Sequence, residues 1–333
     1  MDNHETISQS NYESIESLPA FSNKRKGKLM RVPKPIDIKK ITLPEELKHV
    51  QVPERKNFGL YERYVANFIN ALELKYPKEY LFHLYQNIKS LEIKAEEIEI
   101  LRCSGTYSPR INTIALEEES AIYHELLHMA TTSSDRKHVG FEYYTLFKSF
   151  NRGLNEGYTE LLKKRLFPGK KSAETYAFNM TVAEIIEKIV GPKMEELFFK
   201  ADLLGLIHEL TPYSSEDEIM QFFSNVDFIN AMNMSYAGSA YPTSLFVRKC
   251  ANDSEFVKNI LSETFNYLTK IYFLFLKKQF NMGTITEEQF LNMQDEFLEE
   301  YSLVRYGLSY HFTYDDAYVE QLKASLNKDK KTL

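Results

Sequence analysis

The hydrophobic period of this chain changes twice within its first 130 residues, and that limits the fold class. From Phe58 onward, Leu60, Tyr64, Val65, Phe68, Ile69 and Leu72 recur at three- and four-residue steps, one face of an amphipathic helix. A second helix is predicted after Pro77, with Tyr80, Leu81, Leu84, Tyr85 and Ile88 on its apolar face. The period then falls to two. Ile98, Ile100 and Arg102 alternate with Glu97, Glu99 and Leu101, as in a half-buried strand. Ser104 to Pro109 holds turn chemistry and Ile111 to Leu116 reads as a second strand, giving an expected antiparallel pair. Glu117 to Thr131 returns to helix.

Residues 136–153 carry no clear period, with Gly140 and Gly153 as punctuation. Beyond them the chain reads as mostly helical, over about 154–166, 173–190, 193–210, 216–230, 254–281, 285–304 and 316–327. Gly191-Pro192 is a predicted stop, because glycine caps a helix and proline cannot continue one. The expected class is α+β, a small mixed sheet with an adjoining helix followed by a large, mostly helical part.

Composition excludes several kinds of chemistry. With only Cys103 and Cys250, neither a disulfide framework nor a thiolate-built metal site is available. Cys103 is expected to be a buried, inert thiol. A net charge of −6 argues against general nucleic-acid binding, which needs concentrated positive charge. The most apolar run, Ile271 to Leu276, is bracketed by Lys270, Lys277 and Lys278, so no membrane span is expected. The N-terminus has neither the basic start nor the apolar run of a secretory signal, and a cytoplasmic location is the expectation. Residues 1–55 read as a flexible polar tail or linker. Over 1–40 its charge is positive, opposite in sign to the whole chain, so it could instead dock on a partner or cover the acidic body. The charged C-terminal NKDKKTL reads as solvated.

The eight histidines are the scarce, informative residues. His124 and His128 in AIYHELLHMA are four apart, so a helix places both imidazoles on one face. Glu125 stands beside the first. This H-E-x-x-H pattern is a zinc signature of two ligands and a general base, with about 0.02 occurrences expected in a shuffled chain of this histidine content. Zinc in a catalytic site needs a third protein ligand. An extension with glycine and histidine at the next three-residue steps fails, since Thr131 and Ser134 stand there. His138 lies ten residues on, without a glycine turn between. Glu156 and Glu160 in GLNEGYTELL, at helical i, i+4 spacing, can both face one point. One could bind zinc while the other accepts the free ring N–H of a ligating histidine. Asn155 is expected to cap or brace the start of that helix.

His124-Glu125-Leu126-Leu127-His128 followed by Leu154-Asn155-Glu156-Gly157-Tyr158-Thr159-Glu160 resembles the gluzincin class of zinc metallopeptidases. Thermolysin-like and aminopeptidase-like members show H-E-x-x-H and then an Asn-Glu-Gly or Asn-Glu-Ala helix start. The resemblance covers about forty residues. It implies a zincin-like fold, zinc as cofactor, Glu156 as third ligand and Glu160 as the carboxylate holding one histidine. It also implies peptide-bond hydrolysis with Glu125 as general base. No Gly-x-Met-Glu-Asn segment precedes His124, so an endopeptidase is expected rather than an aminopeptidase.

The implied oxyanion donor stays open among Tyr143, Tyr144, Tyr176 and His208. The strand Ile111 to Leu116, with Arg110 and Asn112, could offer backbone groups to an extended peptide, the expected partner and substrate. The expected division is the 1–55 tail, an α+β subdomain over 56–135 with the H-E-x-x-H helix, and a mostly helical subdomain over 136–333 carrying the third ligand. A competing reading is a zinc-binding or partner-binding regulatory protein without turnover.

Overall fold

The computed structural model describes residues 32, 34–41, 57–95, 104–145, 148–169, 174–236, 245–301, 305–306, 310–311 and 315–328. Among them, α1 (Glu62–Lys75) buries Val65, Phe68 and Leu72, the expected face, and stops before Pro77. A short 3-10 turn leads into α2 (Phe82–Asn87). Three strands follow, β1 (Glu92–Ala95), β2 (Gly105–Ser108) and β3 (Thr113–Leu116). They form one mixed sheet in the order β1-β3-β2, with β1 parallel and β2 antiparallel to β3.

This sheet corrects two expectations. The turn-rich residues after Ser104 form β2, and the turn falls at Pro109–Asn112, where Asn112 has φ 52° and Asn112 N–H donates to Pro109 O. Asn112 holds that turn against the fold through its side-chain amide, which donates to Asn87 O at 2.7 Å. The segment expected to be a substrate-binding edge, β3, is instead the buried centre, and β2 is an edge of this sheet. The predicted strand over 97–102, and Cys103, lie outside the described residues.

After a 3-10 turn at Glu119–Ala121 comes α3 (Ile122–Ala130), all nine residues of which are buried. The segment without a clear period folds as a second small sheet, β4 (His138–Val139), β5 (Glu142–Tyr144) and β6 (Ser149–Phe150), antiparallel throughout. Then follow α4 (Arg152–Leu166), α5 (Ala177–Val190), α6 (Lys193–Phe199), α7 (Leu203–Leu210) and α8 (Glu216–Tyr236). The expected single helix over 193–210 is two. Ala201 adopts φ 55°, and Asp202 caps α7 by accepting Gly205 N–H at 2.7 Å. The remainder is α9 (Leu245–Ala251), α10 (Ser254–Asn281), α11 (Glu287–Glu300), the short pair β7 (Arg305–Tyr306) and β8 (Tyr310–His311), and α12 (Asp316–Lys328).

The fold is therefore mixed α+β, mostly helical, with small sheets. Among the described residues no helix is long and apolar enough to cross a membrane.

Helix α4 lies at the centre of the helical part, because two glycines let backbones close on it. A Cβ at Gly157 would overlap the Asn179 carbonyl of α5, and one at Gly153 would come within 2.7 Å of Val226 O on α8. One buried apolar cluster runs from α1 through α3 and α4 to α12. Residues 34–41, within the stretch expected to be a flexible tail, pack on the body. Ile41 is buried in the core, and Lys40 O accepts the Tyr143 hydroxyl at 2.8 Å. Ile36 and Ile38 also reach the core, an apolar content that the charge balance of the segment hides.

Candidate metal centre

Helix α3 is oriented by burial of its apolar face. Ile122, Leu126, Leu127 and Met129 are fully buried in the core, so the opposite face, with His124, Glu125 and His128, turns toward α4 and a cleft. The end of α3 is closed by polar groups. Thr132 Oγ1 donates to His128 O at 2.7 Å, and Asn87 Nδ2 donates to Met129 O at 2.8 Å and Thr132 O at 2.7 Å. Its last carbonyls are thereby satisfied inside the fold.

Facing α3, α4 presents Glu156 and Glu160 one turn apart. Glu156 Oε2 lies 3.0 Å from His124 Nε2 and 3.3 Å from His128 Nε2, and the two Nε2 atoms are 3.0 Å apart. Zinc bonds of about 2.0–2.2 Å in a tetrahedron separate neighbouring ligand atoms by roughly 3.3–3.6 Å. The triangle of donors is close to that size. His124, His128 and Glu156 form the one group of metal-ligating side chains found among the described residues, all three buried.

His124 Nδ1 lies 2.9 Å from Glu160 Oε2, so this ring nitrogen carries the proton that the carboxylate accepts. Nε2 is then a lone pair aimed at a carboxylate oxygen and at a second imidazole nitrogen. Three such atoms so close together need a proton or a metal ion among them. In the metal-free chain the proton takes that place. Burial disfavours charged His124, but the hydrogen bonds with Glu156 and Glu160 outweigh it and push its pKa up to about 10.

The same environment splits the carboxylates. Burial raises Glu156, but the His128 charge, the two histidine hydrogen bonds and Arg152 overcome it and hold this carboxyl well below its usual range. Burial pushes Glu125 up, against the opposing charges of His124 and His128. A raised carboxyl is suited to receiving a proton. Four buried carboxylates, Glu125, Glu142, Glu156 and Glu160, stand against the two cations Arg152 and Lys163. Two imidazoles and a carboxylate are a donor set that zinc accepts.

The cleft, about 80 Å³, has room for several waters beside the donors. Gly105, Thr106 and Tyr107 of β2 form one wall. Gly105 permits this approach, since a Cβ there would come within 2.8 Å of Ala121 Cβ and 3.3 Å of Glu125 Cγ.

Of the four oxyanion candidates, Tyr144 and Tyr176 line the cleft. The Tyr176 ring stacks on His124, with centroids 5.5 Å apart and planes at 5°. Tyr143 points to the other face of β5, where its hydroxyl donates to Lys40 O. His208 is exposed on α7 and His138 is buried on β4, its ring 5.1 Å from that of Tyr143; neither joins the ligand group.

Asn155 is not the helix cap. It lies inside α4, fully buried, and its Oδ1 accepts Phe141 N–H at 3.0 Å, bracing the β4–β5 turn. The N-cap position belongs to Asn151, with φ 62°.

Sequence reasoning missed Glu142, Arg152 and Met234 in the cleft. Arg152 had a readable signal, its i, i+4 spacing to Glu156. Glu142 and Met234 had none. Comparison with protein families, with curated proteins and with solved structures finds no match for this chain.

Proposed function

We propose that this protein is a zinc-dependent, zincin-like metallopeptidase of gluzincin type that hydrolyses peptide bonds within extended polypeptides. The observation that carries the reading is the meeting of His124 Nε2, His128 Nε2 and Glu156 Oε2 within 3.3 Å of one another, beside Glu125. Bound by these three, zinc would polarise a scissile carbonyl and acidify water. Glu125 takes a proton from the attacking water and delivers it to the leaving amine. Glu160 fixes the His124 tautomer, so that Nε2 stays available as a ligand, and Lys163 holds Glu160 with an ammonium 3.1 Å from Oε1. A substrate strand adds to the edge of β2, whose residues line the cleft, and main-chain hydrogen bonds keep it extended. The hydroxyls of Tyr144 and Tyr176 stay protonated, since burial raises both well above 10, and can donate to a developing oxyanion.

The test is Glu125→Gln. The variant should keep one zinc per chain by metal analysis and lose about 10²–10⁴-fold in hydrolysis, read from new peptide termini against wild type. Wild-type turnover in the variant, or wild-type protein without stoichiometric zinc, overturns the reading.

A further inference from the structure

We propose that Arg152 is a positioning residue that keeps Glu156 a one-oxygen metal ligand. The inference rests on the metal centre proposed above and adds a residue to it. The two oxygens of Glu156 have separate partners. Oε2 is the atom that meets both histidines, whereas Oε1 accepts a hydrogen bond from Arg152 Nε at 3.2 Å. With Oε1 engaged, chelation through both oxygens would mean sharing or giving up the arginine bond, which favours one oxygen on the metal.

Helix electrostatics do not explain this pair. Arg152 is the first residue of α4, where the positive end of the helix dipole disfavours a cation. Arginine preceding glutamate at i, i+4 is also the weaker order for such a pair. An arginine here works against α4 as a helix, and one partner that holds it there is Glu156, whose side chain is only 6% exposed.

The backbone around Arg152 is held from several directions. Asp227 of α8 accepts the N–H of Asn151 at 2.7 Å and of Gly153 at 2.8 Å, the residues on either side of Arg152. Asn151 is in the left-handed region at φ 62°, and its Nδ2 donates to Phe141 O at 3.1 Å. The approach of Gly153 to Val226 O leaves no room for a Cβ. The first turn of α4 is thus clamped to α8 and to the β4–β5 turn, which fixes where the guanidinium begins.

The experiment uses the full chain and two readouts that do not depend on turnover. Zinc affinity is measured by chelator competition, and the cobalt-substituted protein by its visible spectrum, which is intense for four-coordinate Co²⁺ and weak when coordination rises. Wild type is measured first. If it binds neither ion stoichiometrically, the metal-centre reading fails, and this inference fails with it. Given a wild-type site, Arg152→Ala and Arg152→Met both remove the donor, and the second keeps the stem. Both should bind zinc about 10–100-fold more weakly and lose visible intensity. Arg152→Lys and Arg152→Gln each retain an N–H donor and should recover much of the spectrum. If the two donor-free variants bind metal and keep the wild-type spectrum, Arg152 does not set the denticity of Glu156 and the inference is wrong, while the metal centre stands. A spectrum lost equally in all four variants also overturns it, because the donor would then not be the cause.

Discussion

The two helices that build the site solve different problems. Helix α3 is nine residues long and wholly buried, and it brings to the centre two imidazoles, neutral donors in the proposed metal site, and Glu125. Helix α4 brings Glu156 and Glu160, and each of these charges has a cation on the same helix: Arg152 on Glu156 and Lys163 on Glu160. An unpaired buried charge is expensive, whereas a neutral imidazole tolerates a dry environment. The histidines are therefore placed by hydrophobic packing of α3, and the two α4 carboxylates are balanced along their own helix. The contrast extends to how each is seated. Leucine side chains anchor α3, and direct backbone approach at Gly153 and Gly157 anchors α4.

Removing charges from α4 probes that division most strongly. Glu156→Ala should weaken zinc binding by more than about 100-fold, beyond the 10–100-fold expected for Glu160→Ala, whose carboxylate acts through His124. Chelator competition on the two variants decides. The reverse order would mean that Glu160 is the ligand and Glu156 its support.

How much of this was legible in the sequence depends on how far apart the partners lie. His124 with His128, and Glu156 with Glu160, were readable because each pair shares one helix and a fixed period. That the two pairs meet is a tertiary fact, which the gluzincin resemblance implied and periodicity could not. Strands of two and three residues, as in β4, β5 and β6, are too short to establish a period, so Glu142 had no signal placing it in the cleft and Tyr144 could not be told from Tyr143 as a candidate. Strand β2 was misread because glycine and serine mark turns. Gly105 is there so that the strand can close on Ala121 and Glu125. The break between α6 and α7 was hidden by Ala201, a non-glycine residue at positive φ. The packed stretch 34–41 was masked by its own lysines.

The seating of the helices can be broken separately from their chemistry. Gly157→Ala forces a methyl group into the Asn179 backbone of α5, which cannot swing aside as a side chain would. It should cost about 3 kcal/mol or more, read from the urea midpoint. A cost near zero would mean that α4 and α5 separate easily, and that the ligand helix is less fixed than its glycines imply.

The smallest expected effect concerns protons, and it asks what replaces the metal. In the metal-free chain His124 is raised to about 10 from an ordinary value near 6.5, so folding takes up a proton between those values. The stabilisation from this group is complete below about pH 6.5 and is lost as pH rises through about 10. Zinc held as proposed would compete for the same nitrogen and would have to expel that proton. At pH 8, zinc binding measured calorimetrically in buffers of different ionisation heat should release about one proton from His124. Glu160→Gln removes one of the two carboxylates that hold this proton, so the release should fall. The stability gap between zinc-bound and zinc-free protein should widen from pH 6.5 toward 10. Equal proton release in wild type and Glu160→Gln would place the expelled proton elsewhere, with Glu125, raised by burial on the same face of α3, as the group to test next.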